Sequence, residues 1–164
     1  MALRNIREIG DPVLTKRAKE VTEMTDRLRE IIADMKETLY DAAGVGLAAP
    51  QVGILKRIVL IDVSEEQNDL HVLINPVLVE TSGEQEGYEA CLSVPGKMGV
   101  VKRPMYAKAV ALDENMQPTE IEGTELLARA ICHELDHLDG NLYVRLVEGE
   151  LEDARPADED GEEE

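Results

Sequence analysis

Phenylalanine and tryptophan are missing from this 164-residue chain, and tyrosine occurs four times. The core must therefore be aliphatic, built from Ile, Leu, Val and Met, and base stacking on aromatic rings has little to work with. No apolar run approaches the ~20 residues of a membrane-spanning helix, so no membrane partner is expected. The start, Met1-Ala2-Leu3-Arg4-Asn5-Ile6-Arg7, lacks the apolar stretch of a secretion signal, which points to a cytoplasmic location. Cysteine occurs twice, as Cys91 and Cys132. In a cytosolic chain of this size, a metal or catalytic role for one of them is favoured over a structural bridge. Positive charge is also scarce: 17 Lys and Arg stand against 35 Asp and Glu, a net charge of −18 that speaks against direct binding of nucleic acid.

The excess is uneven. Residues 148–164 hold ten acidic side chains and one Arg, so half of the net charge lies in the last tenth of the chain. This segment reads as an acidic, disordered tail following one catalytic domain over residues 1–147. Within that domain, Leu28, Ile31, Ile32, Met35, Leu39 and Ala42 fall on one stripe of a helix over residues 25–43. Thr25 or Asp26 can cap its start, and Gly44 can supply a left-handed stop. Residues 44–53 are too rich in Gly and too Pro-interrupted for helix and predict an extended segment. Strands are expected at 57–63 and 71–81, the second placed at an edge or bulge by Asn75-Pro76. Loop and short strand follow over 82–104, then strands at 107–112 and 119–122. A second helix is predicted over 124–138, capped by Thr124 and stopped near Gly140. The order helix, strands, helix suggests an α+β fold with a largely antiparallel sheet.

The second helix carries His133-Glu134-Leu135-Asp136-His137. Histidines four apart stack on one helical face, while Glu134 is turned about 100° away. From there its carboxylate can reach a water on a metal without displacing a ligand, the division of labour of a metal-dependent hydrolase. A catalytic site needs a third protein ligand. Peptidases of the long histidine motif place it six residues beyond the second His, where this chain has Tyr143. A Glu on a further helix is disfavoured, because only the acidic segment remains. His71 and Cys91 are left. Cys91, in Glu89-Ala90-Cys91-Leu92-Ser93 beside a Gly-rich loop, is the better candidate; His71 lies in an apolar strand run and reads as structural. Cys132 reads as a small buried hydrophobe.

Three segments in this order, Gly44-Val45-Gly46-Leu47-Ala48-Ala49-Pro50-Gln51, Glu89-Ala90-Cys91-Leu92-Ser93 and His133-Glu134-Leu135-Asp136-His137, resemble the peptide deformylase family. Looser similarity at Asp11-Pro12-Val13-Leu14, Ile74-Asn75-Pro76 and Leu138-Asp139-Gly140 extends the likeness over about residues 4–147. The resemblance implies mostly antiparallel sheets packed around the C-terminal helix, with the N-terminal helix outside. It implies removal of the formyl group from the initiating methionine of nascent polypeptides. Cys91, His133 and His137 become ligands of one divalent metal, Fe²⁺ in the cell, with Zn²⁺, Ni²⁺ or Co²⁺ also suited. Glu134 becomes general base and acid, and Gln51 and the Leu92 backbone N–H become donors to the formyl oxygen. Val45 and Gly46 would pair with the substrate backbone like an added strand, and Leu126 and Ala130 would wall the methionine slot. Glu89 would lie inside, paired to Arg103.

Three positions depart from the pattern. Ala90 replaces the glycine usual before the cysteine, a strain if that backbone needs φ > 0. Members that dock on the ribosome use a basic C-terminal helix, so ribosome contact by that route is not expected from an acidic tail. Lys97, in Gly96-Lys97-Met98-Gly99, is either a solvated lysine or an anchor for the peptide beyond its first residue. The competing readings are a metal-dependent peptidase or amidase on another N-blocked substrate, and a non-catalytic metal- or peptide-binding descendant.

Overall fold

In the computed structural model, which describes residues 2–154, Thr25 is extended and its hydroxyl accepts the Leu28 N–H at 3.1 Å, starting helix α1 (Asp26–Asp41). The left-handed residue that ends α1 is Ala43, with φ 56°, rather than Gly44. The Ala43 and Gly44 amides donate to the Tyr40 and Leu39 carbonyls, which offsets the strain on Ala43. Gly44 is needed for another reason: a Cβ there would sit 2.8 Å from Leu92 Cδ1.

The segment expected to be extended contains a short strand, β1 (Gly46–Ala48), followed by a 3₁₀ turn at Ala49–Val52. With β2 (Ile58–Ile61), β3 (His71–Ser82), β6 (Tyr106–Leu112) and β7 (Pro118–Thr124), β1 forms an antiparallel sheet in the order β1-β2-β3-β6-β7. All four residues of β2 are buried, and their alternation divides two cores. Val59 and Ile61 pack toward helix α2 (Leu126–Leu138) with Leu73, Ala109 and Ile131. Ile58 and Leu60 pack toward α1 with Ile32, Met35 and Leu39.

β3 is an interior strand, so Asn75-Pro76 does not mark an edge; the ladder to β6 shifts register between Ile74 and Val77. Pro cannot donate to a ladder, and the bulge removes that demand. Asn75 adopts φ 52°, and its side-chain amide makes two bonds of 2.8 Å to the Val21 N–H and carbonyl, tying the N-terminal arm to the sheet.

Residues 82–104, expected as loop and short strand, form a long hairpin of β4 (Gln85–Cys91) and β5 (Val94–Arg103). The hairpin is stabilised by contacts distant in sequence, which local patterning does not register. α2 is likewise not capped by Thr124. Glu125 is the N-cap, at φ 56° and without a side-chain cap bond; its N–H donates to Met105 O, and its carbonyl accepts Gln85 Nε2 at 2.8 Å. The expected acidic tail needs correction at its start. Glu148–Asp153 form β8, which pairs with β5 to complete a three-stranded sheet in the order β4-β5-β8. Backbone pairing holds this strand although its side chains are exposed. The expected tail beyond Ala154 lies outside the described residues.

Removing the Asn75 side chain leaves Val21 without two hydrogen bonds and an alanine at positive φ. Asn75→Ala is expected to cost about 2–3 kcal/mol by urea denaturation. A loss under about 0.5 kcal/mol would show that the arm is held by other means.

Candidate active site

α2 carries His133 and His137 one turn apart, with ring centroids 5.0 Å from each other and both side chains buried. Cys91 comes from the other sheet, at the end of β4, where the chain reverses through Leu92 and Ser93 and Cys91 pairs with Val94. The Ser93 N–H donates to Cys91 Sγ at 3.4 Å, and His137 Nε2 lies 3.3 Å from the same sulfur. The ligand atoms of Cys91, His133 and His137 all fall within 4.8 Å of one another. One thiol and two imidazoles so converged fit a divalent transition metal with a coordination position left for water. Burial, and then the neighbouring His133, push the His137 pKa well below its ordinary value, which favours the neutral ring that ligation requires. His71 is not part of the cluster; it begins β3, half-buried, 3.5 Å from Asp69.

Behind His133 sits a buried charge network. His133 Nδ1 is 2.6 Å from Glu89 Oε2, which leaves Nε2 to face the cluster. Arg103 reaches Glu89 through Nη2 at 2.7 Å and Nε at 3.1 Å, the expected pairing. Its Nη1 also donates to Asp136 at 2.8 Å, which places Asp136 in the supporting network. Arg129, not anticipated from the sequence, donates to the other Glu89 oxygen at 2.9 Å and to the Val101 carbonyl at 3.1 Å. Its position one turn before His133 on α2 was the available signal. Burial alone would raise the Glu89 pKa, but the hydrogen bonds from His133 and Arg103 outweigh it and hold the carboxyl at about 2.

Glu134 is 4% exposed; Oε2 lies 4.0 Å from His133 Nε2, and the buried Oε1 has no hydrogen-bond partner. Burial is the main reason its pKa rises to about 7, with His133 opposing the rise and Glu89 adding to it. Gly46 of β1 makes room for it, since a Cβ there would lie 2.5 Å from Glu134 Oε2. Gln51 is held at both ends: Oε1 accepts the Ala48 N–H at 2.9 Å, and Nε2 donates to Ser93 Oγ at 3.0 Å and approaches Cys91 Sγ at 3.5 Å. Buried Ser93, also not anticipated, thus fixes which way the amide faces. Gly46, Gln51 and Glu134 border a cavity of about 450 Å³ that also contacts Val45, Leu92, Leu126 and Ala130. Ala90 lines it too and is not among the described residues with positive φ, so the alanine brings no left-handed strain. Tyr143, where a third histidine would stand, packs its ring 5.8 Å from that of His133 instead of ligating.

The family model described as polypeptide deformylase matches residues 3–151. The chain belongs to the polypeptide deformylase family. A peptide deformylase of Agathobacter rectalis is 63% identical over 93% of this chain and 95% of its own length. One from Lachnoclostridium phytofermentans is 56% identical over 99% and 100%. Among solved structures, the Legionella pneumophila deformylase superposes with a TM-score of 0.87 at 42% identity, covering 90% of this chain and 87% of its own. The Synechococcus elongatus deformylase, solved in complex with actinonin, gives 0.84 at 43% identity over 89% and 79%. The chain is accordingly a deformylase, a hydrolase of N-formyl groups, and its fold is the deformylase fold, with mostly antiparallel sheets and two helices.

The Glu89 network gives this deformylase a defined response to acid. The folded-state pKa of about 2 lies below the ordinary 4.5, so the stabilisation is fully present above pH ~4.5 and is lost as pH falls through 2. The pH-dependent difference between ionised and protonated Glu89 amounts to about 3 kcal/mol. Urea denaturation of Glu89→Gln should show a less stable protein at neutral pH, with a flatter decline between pH 4.5 and 2 than the parent. Parallel declines in the two proteins would show that other carboxylates control acid unfolding.

Proposed function

We propose that this deformylase removes the formyl group from the N-terminal methionine of nascent polypeptides in the cytoplasm. Cys91, His133 and His137 would hold one divalent metal, Fe²⁺ in the cell, with Zn²⁺, Ni²⁺ or Co²⁺ able to substitute. The observation that carries this reading is Glu134: a buried carboxyl with one unpartnered oxygen, next to the only grouping of three or more metal-ligating side chains among the described residues. When bound, the metal supplies Lewis acidity that brings the pKa of water toward 7.

Glu134 takes the proton of the attacking water, and its pKa near 7 suits it to pass that proton on. As the formyl carbon becomes tetrahedral, negative charge gathers on its oxygen. The Gln51 amide, prevented from flipping by Ala48 and Ser93, and the Leu92 N–H in the hairpin turn donate to it. Glu134 then protonates the leaving nitrogen, so the C–N bond breaks to give formate and a free amino terminus. β1 is the edge strand of its sheet, which leaves Val45 and Gly46 able to pair with an extended peptide. Leu126 and Ala130 would flank the methionine side chain. One catalytic domain carries all of these groups, its C-terminal border moved from Val147 to beyond β8. Residues 148–153, an acidic strand, do not themselves offer a basic helix to a ribosome.

Glu134→Gln retains size and burial but cannot take a proton. Its kcat for formate release from a formyl-Met peptide should fall at least about 10³-fold while metal content is retained. Parent-like turnover in that variant would overturn the proton-carrier role. Loading the protein anaerobically with each metal in turn tests its identity. The Fe²⁺ form should be the one that loses activity in air, and the Zn²⁺ form should be stable; an air-stable Fe²⁺ form would argue against a thiolate ligand.

A further inference from the structure

Arg129 has more hydrogen-bond donors than its partners use. Its Nη1 serves both Glu89 Oε1 and the Val101 carbonyl, while no described residue accepts from Nε or Nη2. The side chain is 9% exposed, and it borders the catalytic cavity. Among the described residues, the polar atoms fully enclosed without a partner are Glu134 Oε1 and His137 Nδ1, so the spare donors of Arg129 keep an opening. Gly87 accounts for it. Two residues before Glu89 on β4, Gly87 shares the face turned toward α2. A Cβ there would stand 3.4 Å from Nη2, and the missing side chain leaves that donor uncovered.

On α2, Leu126, Arg129, Ala130 and His133 follow one another at helical spacing, and all four border the cavity. The slot assigned above to the methionine side chain therefore has apolar walls at Leu126 and Ala130 and a cationic donor beside them. Apolar walls alone would refuse a polar side-chain end, because it would be desolvated without a partner. A buried guanidinium edge supplies the partner, and a charged donor binds an oxygen acceptor strongly. Thioether sulfur is only a weak acceptor, whereas oxidation of methionine places a polar oxygen on the same atom.

We propose that Arg129 admits a second class of substrate, formyl peptides whose first residue is methionine sulfoxide, with the sulfoxide oxygen accepting from Nε or Nη2. The hydrolysis itself is unchanged: water adds across the formyl C–N bond, formate and a free amino terminus are released, and the sulfoxide stays oxidised. The inference rests on the deformylase reading above and on the slot at Leu126 and Ala130.

The test compares kcat/KM of the metal-loaded protein for the amides of formyl-Met-Ala-Ser and of its analogues with norleucine or methionine sulfoxide in first place. Norleucine keeps the length of methionine and carries no acceptor. The parent should turn over the sulfoxide peptide within about tenfold of the norleucine peptide, because the hydrogen bond offsets desolvation of the oxygen. Arg129→Met should lower the sulfoxide-to-norleucine ratio about tenfold or more, the factor expected of one bond from a charged donor. The ratio cancels general damage to the site, since Arg129 also holds Glu89. Gly87→Val keeps both bonds of Arg129, covers Nη2 and should lower the same ratio, chiefly through KM. A sulfoxide peptide more than about tenfold slower than the norleucine peptide in the parent overturns the proposal, as does a ratio that neither substitution lowers. Failure of formyl-Met-Ala-Ser to react in the parent would instead strike at the deformylase reading itself.

Discussion

The Glu89 carboxylate is the point on which this molecule turns. It is taken out of water at the junction between the β4–β5 hairpin and α2, two parts of the chain about 40 residues apart. An isolated carboxylate there would cost several kcal/mol. Arg103, Arg129 and His133 meet it on both oxygens. Each partner comes with a structural commitment: Arg103 fixes the far end of the hairpin, Arg129 fixes the first turns of α2, and His133 must present Nε2 to the cluster once Nδ1 is engaged. The same carboxylate thus sets the distance between the sheet that supplies Cys91 and the helix that supplies both imidazoles.

Glu134 depends on the opposite treatment. No cation reaches its Oε1, and the small residue at Gly46 lets β1 close over it. Two buried carboxylates in one region are therefore pushed apart, Glu89 to about 2 and Glu134 to about 7. This separation keeps one permanently charged as a scaffold and lets the other exchange protons near neutrality. Burial is common to both; the difference lies in the hydrogen bonds from His133 and Arg103 that Glu89 accepts.

The arrangement on α2 could be read from the sequence because helical geometry fixes the relative angles of residues 133, 134 and 137 within a single segment. Cys91 could be narrowed to by elimination of other third ligands, whereas Gln51 and Gly46 were legible only through their motifs. What escaped depends on distant pairing. Arg129 acquires its role by meeting a residue 40 positions away, and Ser93 by meeting Gln51. β8 carries no alternation of apolar and polar residues, because every one of its side chains is exposed and only its backbone is paired. Ala43 and Glu125 were missed for a different reason. Local propensity argues against a left-handed Ala or Glu, and each persists because neighbouring amides and carbonyls hold it there.

A buried network of this kind is a poor way to gain stability. Well-packed apolar residues in place of Glu89, Arg103 and Arg129 could match or exceed its contribution, since the desolvation of three charges would no longer oppose folding. Such a core would leave His133 Nδ1 without an acceptor, however, and the ring would be free to turn or to present the wrong nitrogen. It would also remove both the Glu89 charge that raises the Glu134 pKa and the Arg103 charge that lowers it. The charges orient the ring and act on the Glu134 carboxyl together, and apolar packing, which has no direction, can do neither. The cost is confined to one junction, and the apolar cores on either face of the sheet supply stability away from it.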